Sequence, residues 1–315
     1  MNKIKTIILS INIILLISIL FFGFSNNKNN KDEPFNKNYS IKPVEIPNNI
    51  SFANEKVPLN NFDTYESLDR EILINTYWQS QTLLFIKRAN KYFPIIEPIL
   101  KEHNVPTDFK YLAVAESGLS NIVSPSNACG FWQFLKGTAK DYNLEVTSEI
   151  DERYNLEKST HAAAKFLKES YEKYGSWTLA AASYNMGRRN ISKQIERQKS
   201  NNYYDLILGD ETGRYVYRLI AIKLILENPN KFGFFVENNQ KYKQIPYKIV
   251  EIDSTINDFA DFANSLDINY KILKELNPWL RDNKLTNPNK KTYKIKIASK
   301  EFREIKIDNK FYPKK

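Results

Sequence analysis

The sequence predicts a mainly α fold, an all-helical domain followed by a small α+β module. Three observations predict it. Apolar residues recur at helical spacing between Leu68 and Asn228. After Pro229 the pattern changes to alternating β-branched and aromatic residues. Three short polar motifs, Glu116-Ser117, Gly130-Phe131-Trp132-Gln133-Phe134 and Ser183-Tyr184-Asn185, fall at the predicted ends or starts of helices inside the first region.

Taken in order, Lys3 and Lys5 precede a run from Thr6 to Phe24 interrupted only by Ser10, Asn12 and Ser18. A basic start and an apolar stretch of this kind read as an export signal. The run is close to the roughly 20 residues that span a bilayer, so it also permits a retained anchor, which the lack of an Ala-x-Ala cleavage site after it favours. Asn26 to Asn61, rich in Asn, Lys, Pro and Ser, reads as a solvated linker. Ile72, Leu73, Tyr77, Leu83, Leu84 and Ile86, and then Ile95, Ile96, Ile99 and Leu100, form two helical apolar groups. Pro106-Thr107-Asp108 starts a helix over Phe109–Glu116 that stops near Gly118. Further helices are expected over Phe131–Tyr142, Leu156–Lys173, Trp177–Tyr184 and Glu211–Asn228. Phe232–Val236, Tyr242–Ile252 and Tyr293–Ile297 are expected as strands, with helix over Ile256–Leu280 between them.

A chain of 315 residues can bury one sizeable core and a second small domain. Lys and Arg number 46 against 36 Asp and Glu, a formal charge of +10. This excess suits an anionic partner such as acidic lipid or a cell-wall polymer, or is the solvated surface of a Lys-, Asn- and Ile-rich chain from an A·T-rich genome. No zinc finger, basic zipper or aromatic platform is present, so nucleic acid is not an expected partner. One cysteine, Cys129, and two histidines, His103 and His161, argue against a Cys/His metal site. No metal or cofactor is expected. The histidines read as helix-surface residues, and Cys129 as a small buried residue at a tight turn.

Glu116 ends a helix among apolar neighbours. Lost hydration and the negative end of the helix dipole both favour the neutral carboxylic acid that a general acid requires. Ser117 is placed to hydrogen-bond that carboxyl and fix its rotamer. The plainer reading is an ordinary helix-end glutamate in solvent. Gln133, an amide among aromatics, suits a sugar, whose faces are apolar and edges polar; alternatively it points outward from a helix start. Tyr184 and Asn185 offer a phenol and an amide to a cleft, or Asn185 and Gly187 cap the helix. Tyr215, near the start of the closing helix Glu211-Thr212-Gly213-Arg214-Tyr215-Val216, can aim at the same cleft. A lone acid with amides and phenols suits sugar-chain cleavage that needs no activated water.

Together and in this order the motifs resemble the soluble-lytic-transglycosylase-type (SLT) domain, and more closely the membrane-bound lytic murein transglycosylase D group, over about Ile95 to Leu226. Phe131 and Ser183 stand where that family has Leu and Ala, leaving the polar roles untouched. The resemblance implies a lysozyme-like helical catalytic domain with Glu116 as sole catalytic acid and Ser117, Gln133, Tyr184, Asn185 and Tyr215 lining a glycan cleft. It also implies peptidoglycan glycan strands as partner, cleaved at the MurNAc–GlcNAc β-1,4 bond without hydrolysis to give 1,6-anhydro-MurNAc ends.

Asp258-Phe259-Ala260, Tyr270–Leu280 and Thr292–Ile297 resemble a divergent LysM module without its usual turn glycines. That resemblance implies cell-wall glycan binding, or an accessory domain that only packs. The expected division is 1–25 signal peptide or membrane anchor, 26–61 flexible linker, 62–229 lysozyme-like domain, 230–249 connecting β segment, 250–299 LysM-like module and 300–315 basic tail. The protein is expected in the periplasm or cell envelope, touching membrane only through residues 6–24.

Two other functions fit the same residues. A goose-type lysozyme-like hydrolase would draw a second carboxylate from Asp141, Glu145, Glu149 or Asp151. A non-catalytic wall-binding protein would use the helical domain as scaffold.

Overall fold

The computed structural model describes residues 42–299. The expected export signal or anchor (1–25), much of the expected linker and the basic tail (300–315) lie outside the described residues. All that follows concerns the compact unit that begins at Val44. Among the described residues no helix is long and apolar enough to cross a membrane.

The fold is mainly α. Two tiny strands, β1 (Ser51–Phe52) and β2 (Glu55–Lys56), precede α1 (Phe62–Tyr77) and α2 (Gln79–Glu102). Then come α3 (Lys110–Ser117), α4 (Lys136–Asp141), α5 (Leu156–Tyr174), α6 (Trp177–Met186), α7 (Arg188–Gln198) and α8 (Asp210–Glu227). The helical core is centred on α6 and α8. Leu179, Ala180, Ala181 and Ala182 of α6 and Leu219, Ile220 and Ala221 of α8 are fully buried. Alanines 162–164 of α5 face the same interior, and their small side chains let helix axes approach closely. A buried glutamate, Glu71 of α1, receives Arg214 Nε of α8 at 2.7 Å and lies 3.7 Å from Arg218 Nε, which ties α1 to α8.

The expected linker is corrected at its C-terminal end. Residues 51–56 form an antiparallel hairpin turned by Ala53 (φ 51°) and Asn54 (φ 67°), the two positive φ values that a tight hairpin turn requires. Phe52 is fully buried and packs edge-on to Phe109, which in turn meets Trp177. Glu55 caps the start of α6: its carboxylate accepts the Trp177 and Thr178 backbone N–H groups and the Ser176 hydroxyl. Core packing and a buried cap outweigh the polar composition that suggested a solvated chain.

The C-terminal module is a β-α-α-β unit: β3 (Tyr247–Ile252), α9 (Phe259–Ser265), α10 (Tyr270–Leu276) and β4 (Tyr293–Ala298). The two strands pair antiparallel from Tyr247 opposite Ala298 to Ile252 opposite Tyr293. Phe259, Leu273, Leu280, Leu285, Ile295 and Ile297 fill its core. Fully buried Asn277 satisfies both amide ends, donating to the Leu273 and Lys296 carbonyls and accepting from Lys296 N–H. The expected β segment 230–249 is mostly not β: Pro229–Phe232 is a 3₁₀ turn, and Phe232–Val236 is no strand because nothing among the described residues pairs with it.

The module is sewn to the helical domain by a polar seam. Leu280 bridges Ile150, Asp151 N–H donates to the Trp279 carbonyl (2.9 Å), and Arg281 N–H donates to the Glu149 carbonyl (2.7 Å). Glu145 accepts from Lys291 and the Tyr293 hydroxyl, Glu149 from Thr286 N–H and Oγ1, and Glu157 from Lys296.

Candidate active site

Glu116 is the penultimate residue of α3. The helix stops at Gly118, left-handed at φ 59°, whose N–H donates to the Val114 carbonyl at 2.8 Å. Glycine is required twice over there, because a Cβ would lie 2.9 Å from Gln81 Nε2 and Phe85 Cε1. Arg88 of α2 donates to the Gly118 carbonyl at 2.9 Å and so holds the end of α3 in place.

The Glu116 carboxyl is half-buried, and the Tyr215 hydroxyl donates to its Oε1. Burial pushes the carboxyl up to about 7; the Tyr215 hydrogen bond opposes this, Glu211 adds to it and Arg218 pulls against it. Tyr215 is itself fully buried and raised well above its usual value, first by burial and then by Glu116, so its hydroxyl keeps its proton as a donor. The pair therefore supplies an acid poised near neutrality with a fixed donor on one oxygen.

The Gly130–Phe134 motif is a loop, not the start of the expected helix 131–142; only Lys136–Asp141 is helical. Gly130 has φ 81°, and a Cβ there would fall 2.0 Å from the Arg153 carbonyl oxygen. Gln133 is also left-handed, at φ 49°. Trp132 is fully buried and its Nε1 donates to Thr160 Oγ1 at 2.9 Å. Arg153, locked in a bidentate pair with Asp151, donates to the carbonyls of Asn127 and Phe134 at the two sides of the loop. Cys129 is buried at this turn.

Two of the expected cleft residues brace this loop. The Tyr184 hydroxyl donates to the Trp132 carbonyl at 2.7 Å, and electrostatic repulsion from Glu116 adds to the burial that raises the phenol. Ser117 does not bond the Glu116 carboxyl as expected. Its hydroxyl reaches the Ala113 carbonyl (3.0 Å) one turn back and the Phe131 carbonyl (2.9 Å) of the loop. The helical geometry that puts Ala113 under Ser117 turns the hydroxyl away from its neighbour. Gln133 likewise spends its amide N–H groups on the Gly130 (2.8 Å) and Ile122 (3.1 Å) carbonyls.

Asn185 joins α6 to α8. Its Oδ1 accepts from Thr212 Oγ1 at 2.6 Å, and its Nδ2 donates to Glu211 Oε1 at 3.3 Å. Asn185 is not the helix cap; Gly187, at φ 85°, is. Four carboxylates that a hydrolase would draw on are placed elsewhere. Glu145 and Glu149 face the C-terminal module, Asp151 is paired with Arg153, and Asp141 is exposed beside a cavity of about 500 Å³ lined by Tyr142, Phe166 and Arg188. Arg88, Arg153 and Glu55 carry no signal in the sequence, since each acts on backbone atoms far along the chain.

Residues 93–207 match the Transglycosylase SLT domain, and residues 248–301 match the soluble lytic transglycosylase C-terminal LysM-like domain. The chain is 28% identical over 204 residues to the membrane-bound lytic murein transglycosylase D of Escherichia coli (strain K12). The alignment covers 63% of this chain and 44% of that protein. The same protein from Escherichia coli O6:H1 (strain CFT073) gives the same 28% and the same shares, 63% and 44%. The chain thus spans less than half the length of these relatives.

Proposed function

We propose that this chain, which carries a transglycosylase SLT domain followed by a LysM-like domain, cleaves the MurNAc–GlcNAc β-1,4 bond of peptidoglycan without water and leaves 1,6-anhydro-MurNAc ends. One observation carries the reading: a half-buried Glu116 held near pH 7 with Tyr215 donating to it. Such a group is protonated often enough to act as an acid and is acidic enough to give its proton up.

In the first step the Glu116 proton passes to the glycosidic oxygen as the bond to C1 breaks. The positive charge at C1 is shared with the ring oxygen and the sugar's 2-acetamido group. The Tyr215 hydroxyl stabilises the carboxylate that Glu116 has become. In the second step that carboxylate takes the C6 hydroxyl proton while O6 bonds to C1, which closes the anhydro ring and restores the acid. A single carboxyl suffices because the substrate supplies the internal nucleophile. Asn185 donates one amide N–H to Glu211, and its second N–H is the donor we assign to the acetamido oxygen. Ser117, Gln133 and Tyr184 act by shaping the loop and cleft wall.

Hydrolysis is the second reading, and Glu211 is the carboxylate that bears electrostatically on Glu116. Mass spectrometry of glycan released from purified sacculi separates the two. Anhydro ends, absent with Glu116→Gln, support transglycosylation; reducing ends from the wild type refute it. With a wall polymer as substrate, the protein acts outside the cytoplasmic membrane, and the basic and apolar run through Phe24 exports or anchors it. The LysM-like module grips the same glycan.

A further inference from the structure

We infer that Glu102, His103 and His161 form a binding site for one divalent late first-row transition ion, of the zinc or copper(II) class. The chain has two histidines in 315 residues. They lie 58 positions apart, yet the fold sets His103 Nε2 2.9 Å from His161 Nδ1. The sequence pattern had put both on helix surfaces; instead α2 ends at Glu102, His103 caps it, and α5 presents His161 to that cap. The rings meet edge to face at 74° with centroids 5.2 Å apart. A Glu102 carboxylate oxygen completes a trio whose ligand atoms all lie within 4.8 Å of one another.

The spacing suits a metal as well as a proton. With metal–nitrogen bonds of ~2.05 Å, a nitrogen separation of about 2.9 Å subtends ~90°, the cis angle of tetragonal copper(II). Tetrahedral zinc needs roughly 3.3 Å, an opening of about 0.4 Å. Both histidines are half-buried and Glu102 is exposed, so water has access to the remaining coordination positions. Lys165 bears electrostatically on His103 and is the cation that opposes the site; its side chain is exposed, so water and salt screen it.

No member of the trio belongs to the Glu116 site, so the ion has a bracing role. It pins the C-terminal end of α2 to α5 beside Thr160, whose hydroxyl holds Trp132 Nε1. Occupancy therefore stiffens the shelf beneath the 130–134 loop without entering the chemistry.

The test uses chelator-stripped full-length protein titrated calorimetrically with Zn²⁺ and, separately, with Cu²⁺. Expected are one ion per chain with a dissociation constant of about 10 μM or tighter, an upward shift in melting temperature on loading, and a loss of affinity of roughly 100-fold in both His103→Gln and His161→Gln. With no other histidine in the chain, the N-carbethoxyhistidine formed with diethyl pyrocarbonate reports on this pair alone, and the loaded wild type should be protected from forming it. If a variant fails to fold, that protection experiment decides. Wild-type affinity in either folded variant, no binding of either ion below about 100 μM, or undiminished labelling of metal-treated protein would overturn the inference.

Discussion

Glutamine at position 116 keeps the shape of the side chain and an acceptor for the Tyr215 hydroxyl, but it cannot ionise. Glu116 has its folded pKa raised from the ordinary 4.5 to about 7. The stabilisation that this proton binding represents is fully present below pH 4.5 and is lost as pH rises through 7, above which the wild type holds a half-buried carboxylate. A difference of about 2.5 units at 1.36 kcal/mol each sets a ceiling of about 3 kcal/mol. Glu116→Gln should thus match the wild type near pH 4.5 and exceed it by up to that amount at pH 8, several degrees in melting temperature for a chain of this length. Thermal melts at pH 5 and pH 8, run beside a sacculus-digestion assay, measure both effects. Equal wild-type and variant differences at the two pH values would show that the carboxyl is not held near neutrality. Retained digestion by the variant would remove Glu116 from the chemistry.

Tyr215→Phe deletes a charge-assisted hydrogen bond worth about 1.5–3 kcal/mol to the carboxylate, which raises the Glu116 pKa by roughly 1–2 units. The basic limb of the kcat/KM–pH profile should move to higher pH while kcat at pH 7 falls; an unmoved limb refutes the pairing. Gly130→Ala drives a Cβ to 2.0 Å from the Arg153 carbonyl at φ 81° and should cost more than about 3 kcal/mol, read as loss of a cooperative melt. Glu55→Ala removes the cap from α6 and should destabilise by about 1–3 kcal/mol, with partial recovery in Glu55→Gln. An unchanged melting temperature would deny the hairpin its capping role.

Periodicity made the helical domain legible because its helices are long and amphipathic. Leu156–Tyr174 and Asp210–Glu227 lie within a residue of the expected bounds at each end. The two-residue strands at Ser51–Lys56 carry no period, and what holds them, Phe52 on Phe109 and Glu55 on α6, is contributed from more than 50 residues away. The loop at Gly130–Phe134 looked helical from its apolar content, but positive φ at Gly130 and Gln133 breaks the helix, and side-chain identity at Gln133 does not announce that. Glu116 and Tyr215 were legible as members of separate motifs; their contact across 99 positions was not. Ser117 misled because a hydroxyl beside a carboxyl suggests a bond between neighbours, while a helix offers it the carbonyl four residues back. The LysM-like module was visible from its strand and helix patterns, but its seam of Glu145, Glu149 and Glu157 was not, since surface acids carry no label for their partners.

That seam has a mechanical outcome. A reader domain on a slack leash would let the cutting head roam and shorten strands at random. Here main-chain hydrogen bonds join Trp279 and Arg281 of the tail to Asp151 and Glu149 of the helical domain; under the proposed function the tail would then act as a calliper jaw, a strand held in it would meet the acid at one repeat distance, and fragment lengths should cluster rather than smear.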